Sequence, residues 1–158
     1  MHVAARARQG QQLDEIAEAL AVRVSTLSKL FFSQSRLRVS RTEAGVLQAL
    51  SEGPCRVTAL AAREGVTQPA ITVLAKRMGA RGWVRRESDP LDGRVVLVAL
   101  TEAGRDVWQR LRREYRALLR EELASLPSSD VDALARASEI FGDVIHRLQD
   151  PADSAIHG

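Results

Sequence analysis

A single cysteine, only two lysines and no long apolar run set the first limits on this 158-residue chain. Cys55 alone cannot build an internal disulfide framework or a cysteine-cluster metal site within one chain. His2, His146 and His157 are too scattered to form a metal cluster by spacing, so neither a metal nor any other cofactor is expected. No uninterrupted apolar stretch approaches the roughly 20 residues that span a bilayer. The opening MHVAARARQG lacks the apolar centre of a secretion signal. The expectation is a cytoplasmic protein without membrane contact. Nucleophile–base pairs, phosphate-cradling glycine loops and ligand clusters are also missing, which argues against an enzyme.

What the chain does have is an apolar fraction of 45% and the length of one domain, or of a small domain with appended helices. Its net charge of +3 is unevenly spread. Residues 1–55 hold seven Arg/Lys against five Asp/Glu, residues 56–100 eight against four, and residues 101–158 eight against eleven. The middle segment is therefore the basic one. Apart from Lys29 and Lys76 every cation is an arginine, whose forked guanidinium donates two parallel hydrogen bonds to a phosphate.

Leu13, Ile16, Leu20, Val24, Leu27, Phe31 and Leu37 recur at mostly three- and four-residue spacing, which predicts a long amphipathic helix from Gln11 to about Arg38. Ser40 and Glu43 form a capping-box pattern, SRTE, that opens a second helix ended by EGP at 52–54. VTALAAREG, 57–65, predicts a third helix closed by Gly65. TQPAITVLAKRMGARG, 67–82, predicts a fourth, with Thr67 as N-cap and Pro69 in the first turn, where a missing N–H does no harm. Its apolar stripe is Ile71, Leu74, Ala75 and Met78, and its opposite face carries Gln68, Thr72, Val73, Lys76 and Arg77. WVRRE and RVVLVAL, 83–87 and 94–100, read as strands. Helices over about 101–126 and 128–148 follow, split by Pro127, and residues 1–10 and 150–158 are expected to be flexible tails.

Between the two strands, Asp92-Gly93 is a strong hairpin signal, because a tight type I′ turn needs positive φ that Asp tolerates and Gly adopts without cost. Arg94 then stands at or beside the tip of a projecting hairpin. Three short helices followed by a hairpin make a winged helix-turn-helix, whose third helix enters a major groove while the hairpin follows the backbone or the neighbouring minor groove. The expected architecture is mainly α with a small β-hairpin wing. Residues 40–100 form the winged helix-turn-helix, and 11–39 with 101–149 supply dimerisation helices, whose apolar stripes exceed what so small a core can cover.

The run D-P-x-D-x-R, a hydrophobic strand and L-T-x-x-G is present as Asp89, Pro90, Asp92, Arg94, Leu100, Thr101 and Gly104. It resembles the wing signature of the MarR family of bacterial transcription regulators. VTQPAITVLAKRMGARGWVRR resembles that family's recognition helix and the approach to its wing. The first helix and the two closing helices match its dimerisation elements, so the resemblance covers Gln11 to Leu148. It implies a sequence-specific DNA-binding regulator, a homodimer on a palindromic double-stranded operator, and a repressor released by a small-molecule effector bound between the DNA-reading and dimerisation parts. It also implies that Arg94 enters the minor groove and that Asp92 helps orient it.

The chemistry at Arg94 also stands without the family, since a narrow A·T-rich minor groove has enhanced negative potential that attracts an inserted arginine. In an isolated hairpin Asp92 and Gly93 would be plain turn formers and Arg94 a solvated charge. Gln68, at the start of the recognition helix, can offer its amide to adenine, and Thr72, one turn on, can meet a thymine methyl or a phosphate. Thr67 and Pro69 belong to the same helix start, although Pro69 serves equally as a packing residue. Val73 departs from the family pattern, where many relatives carry a basic residue, and suggests a methyl contact. Lys76, Arg77, Arg81, Arg85 and Arg86 are phosphate candidates, of which about half are expected to matter, because a charged run is usually a wet face.

Cys55 follows Gly53-Pro54 in an expected turn, not in the first helix where peroxide-sensing relatives place theirs, so a small structural role is preferred. Trp83, Trp108, Phe31 and Tyr115 read as core or interface aromatics. The competing reading is a winged-helix module whose main partner is another protein and whose DNA affinity is incidental.

Overall fold

The computed structural model describes residues 2–149, with side chains from Arg8 onward. The chain divides into two compact units, Met1–Tyr115 and Arg116–Gly158. The first contains α1 (His2–Gln34), α2 (Arg41–Glu52), β1 (Cys55–Arg56), α3 (Val57–Glu64), α4 (Gln68–Ala80), β2 (Val84–Ser88) and β3 (Val96–Leu100). It also holds the first part of α5 (Glu102–Leu123). The second contains the end of α5 and α6 (Ser128–Gln149). The fold is thus mostly helical, with one small antiparallel sheet in the order β1-β3-β2.

Local chemistry fixes most of the boundaries. The Ser40 hydroxyl accepts from the Glu43 N–H and the Glu43 carboxylate accepts from the Ser40 N–H, which completes the capping box of α2. Gly65 closes α3 at φ 63°, ψ 32°, a left-handed cap that only glycine adopts without cost, while its N–H bonds back to Ala61 and Ala62. Two residues later the Thr67 hydroxyl accepts from the Ala70 N–H and opens α4. A left-handed stop followed at once by an N-cap makes the sharp turn between α3 and α4. Around it Leu47, Leu60, Ile71, Met78, Val98 and Leu111 are fully buried.

The L-T-x-x-G segment is a joint. Leu100 lies in the core, the Thr101 hydroxyl accepts from the Gly104 N–H, and the Thr101 N–H donates to the Trp83 carbonyl at 3.0 Å. A Cβ on Gly104 would overlap that same carbonyl, so α5 can lie this close to the base of β2 only with glycine there.

Four expectations need correction. The first helix starts at His2, not Gln11, and so runs through the expected flexible tail. Residues 2–10 contain three alanines and no proline, and Gly10 costs a helix only about 1 kcal/mol. The same helix stops at Gln34 and not at Arg38, because the Ser35 hydroxyl accepts from the Leu37 N–H and donates to Glu114, turning the chain out. Cys55 lies in β1, paired with Val98, and not in a turn. The tight Asp92-Gly93 turn is replaced by a longer loop between Ser88 and Val96, in which Gly93 does not take positive φ. The expected tail at 150–158 lies outside the described residues.

Candidate nucleic-acid interface

Helix α4 presents two faces. Ile71, Leu74, Ala75 and Met78 are buried in the core, which turns Gln68, Pro69, Thr72, Val73, Lys76 and Arg77 outward. Val73 is 67% exposed, so its methyls are free to meet a ligand or base methyl. The Thr72 hydroxyl donates to the Gln68 carbonyl at 2.9 Å. A phosphate can only accept, so it would have to compete with that bond, whereas the Thr72 methyl remains free to meet a base methyl. Thr67 is occupied as the N-cap.

The wing is braced from within. The Asp89 carboxylate accepts from the Leu91 N–H, and the Asp92 carboxylate accepts from the Arg94 N–H at 3.1 Å. Asp89 N–H donates to the Val95 carbonyl and Val95 N–H to that of Asp92, both at 2.9 Å. These side-chain turns shape the loop without a left-handed residue. Asp92 therefore fixes the backbone at Arg94 and does not pair with its guanidinium. Arg56, which no motif singled out, reaches Asp89 at 3.7 Å and ties the wing to β1.

The cations of the 56–100 segment fall into two groups. Five of the eight are paired: Arg56 with Asp89, Arg63 with Glu52, Arg77 and Arg81 with Glu43, and Arg85 with Glu87. Arg85 also donates to the Leu100 carbonyl at 2.7 Å. Lys76, Arg86 and Arg94 have no acidic partner within 4.0 Å among the described residues. Lys76 and Arg86, together with the paired Arg85, line one groove of about 450 Å³ between α4 and the wing, floored by Ala75, Val84 and Val98, and Arg94 stands at the exposed wing tip. The phosphate candidates thus separate into Arg77, Arg81 and Arg85, which pair with acids of this chain, and Lys76 and Arg86, which do not.

Glu43 is the acid that sequence reading recognised only as half of a capping box. It is 3% exposed. Burial would push its pKa up, but hydrogen bonds from Ser40 and the charges of Arg77 and Arg81 outweigh that and hold it below the ordinary glutamate range. Glu52 is lowered too, by its hydrogen bonds from Arg63.

A sequence model described as the MarR family matches residues 39–95, the stretch that carries α2 to the wing tip. The HTH-type transcriptional regulator Mb0904 of Mycobacterium bovis is 35% identical over 128 residues, which cover 80% of this chain and 90% of the relative. The chain belongs to the MarR family. Two solved structures share the fold of this MarR-family chain. RV1404 from Mycobacterium tuberculosis has a TM-score of 0.73 at 24% identity, covering 84% of this chain and 92% of its own. The Multiple Antibiotic Resistance Repressor, MarR, has a TM-score of 0.70 at 22% identity, covering 79% and 93%. As a member of that family the chain is a transcription regulator, and no helix among the described residues is long and apolar enough to cross a membrane.

Proposed function

We propose that this regulator is a cytoplasmic homodimer that reads a palindromic operator with α4 and the wing, represses transcription, and is released by a small ligand. The observation that carries the reading is the placement of the three unpaired cations. In a segment where every other cation has an acid, Lys76, Arg86 and Arg94 are left over on the recognition helix, the adjoining strand and the wing tip. Phosphates and a narrow minor groove are the missing anions. Gln68, with Thr72 and Val73, supplies base reading in the major groove.

Dimerisation is supported by side chains that one chain leaves uncovered. Leu13, Ile16, Val24, Leu27 and Leu30 of α1 are exposed, and no residue of α6 is buried, although Val131, Leu134, Ile140, Val144, Ile145 and Leu148 are apolar. For ligand release, the solved structure of CouR from Rhodococcus jostii RHA1, similar at a TM-score of 0.58, is bound to p-coumaroyl-CoA. In this chain a cleft of about 400 Å³ between α2, the sheet and α5 is lined by Leu50, Leu100, Arg105, Trp108 and Arg112, a size that suits a small molecule.

Genomic fragments retained by the purified protein would identify the operator. Affinity for it should fall about 10³- to 10⁵-fold between roughly 50 and 200 mM salt, as expected for about six to ten phosphate contacts. A flat salt response would favour a protein partner over DNA.

A further inference from the structure

We infer that Glu43 is a positioning residue for DNA reading, a buried clamp that sets the recognition helix and keeps Arg77 and Arg81 off the phosphates. The inference rests on α4 being the DNA-reading helix. The two oxygens of the carboxylate do different jobs. Oε2 accepts from the Ser40 N–H at 2.7 Å, which is all the capping box requires. Oε1 takes Arg77 Nη2 at 3.3 Å and Arg81 Nη1 at 3.4 Å. Helix α4 contains no acidic residue, so Glu43 is the anion that both guanidiniums share.

Arg81 extends the clamp in two directions. Its Nη2 donates to the Arg38 carbonyl at 3.0 Å, in the link between α1 and α2, and its guanidinium lies 3.5 Å from the centre of the Trp83 ring, at the root of the wing. One buried oxygen thus connects the start of α2, the last turns of α4 and the base of β2. One acid shared by two cations cancels one of their two charges, which weakens their non-specific attraction to DNA and leaves Lys76, Arg86 and Arg94 as the unpaired contacts. A regulator gains selectivity when the cations that bind any duplex are few and the helix that reads bases is fixed.

Glu43→Gln is the discriminating variant, because its amide oxygen can still accept from the Ser40 N–H while the charge that holds the arginines is gone. Ser40→Ala is the control that weakens the cap and leaves both ion pairs. On operator DNA, Glu43→Gln should lose about tenfold in affinity, a typical coupling, while affinity for an unrelated duplex holds or rises about twofold because two arginines are released. Ser40→Ala should reduce both in parallel, through folding alone. Equal losses on the two duplexes for Glu43→Gln would overturn the inference. Amide hydrogen exchange on the DNA-free protein gives a second readout, independent of whether it binds DNA. Glu43→Gln should speed exchange over residues 74–83, and Ser40→Ala only near the start of α2. Parent-like exchange over 74–83 in Glu43→Gln would overturn the clamp, whereas failure of the parent to bind any duplex would strike the DNA reading instead.

Discussion

The winged-helix body and the terminal helices treat their apolar residues in opposite ways. In the body, Leu47, Leu60, Ile71, Met78 and Val98 are completely buried, with Leu111 of α5 in the same core and Phe32 of α1 packed against it, and local hydrogen bonds cap the helices at Ser40, Gly65 and Thr67. Helix α6 has apolar residues at helical spacing but buries none of them, and most of α1 is as bare. The body's apolar residues find their cover within one chain. An amphipathic helix without cover needs one to be stable in water. The proposed function follows this difference, with reading given to the body and assembly to the helices.

Removing the helical cover gives the largest expected effect. A chain that ends at Leu126 should lose dimerisation and, with it, about 10²- to 10⁴-fold in operator affinity, the gain that bivalent attachment normally brings. Gel-shift titration checks this, and a truncated chain that binds as tightly as the parent would erase the contrast between body and helices.

Arg94→Ala attacks the body's contact surface without touching its core. The expected loss is about 1 to 3 kcal/mol in operator binding with an unchanged melting temperature, read by anisotropy and by thermal unfolding. If binding survives, the wing tip does not reach DNA. Gly104→Ala is the converse. The added methyl must displace the Trp83 carbonyl and should cost about 1 to 3 kcal/mol of stability, visible as a lower denaturant midpoint. An unchanged midpoint would show that α5 can move away from β2 freely.

Two cations five residues apart sharpen the division further. Lys76→Ala should lower the slope of log affinity against log salt by about one and leave stability alone. Arg81→Ala should lower stability, because it vacates Glu43, the Arg38 carbonyl and the Trp83 ring. Similar salt slopes and similar stabilities for both variants would contradict the separation of held from unpaired cations.

The smallest effect concerns Glu64, whose carboxyl packs against Gly45 between α3 and α2. Burial raises its pKa, only partly offset by the charge of Arg63. A folded-state pKa above the unfolded one means that the neutral form favours folding, a benefit fully present below the unfolded pKa and lost as pH rises through the folded one. Glu64→Gln should therefore raise the melting temperature slightly at pH 7, with the advantage shrinking as pH falls through the raised folded-state value and gone below about pH 4, near the unfolded glutamate value. A gain that persists unchanged at low pH would refute the assignment.

What could be read from the residues alone follows the range of the interactions. The capping box at Ser40 and Glu43, the stop at Gly65 and the cap at Thr67 join residues within about one turn of helix, so their spacing in sequence declares them. The outward face of α4 was equally plain, because Ile71, Leu74 and Met78 mark the inward one. The early start of α1 was missed because capping and periodicity are weak in 2–10, where plain propensity decides. Strand β1 is two residues long and exists only through pairing with β3. The second role of Glu43 needs the angle between α2 and α4, which brings it to Arg77 and Arg81 across more than thirty residues of chain. No local spacing encodes that, so the sorting of arginines into held and unpaired emerges only from the packing.

Sedimentation equilibrium on the protein mixed with a duplex recovered from genomic selection tests the central claim most directly. Two chains should bind each duplex, with half-sites about 10 base pairs apart centre to centre, and the free protein should be a dimer. One chain per duplex, from a free protein that stays monomeric at micromolar concentration, would contradict it.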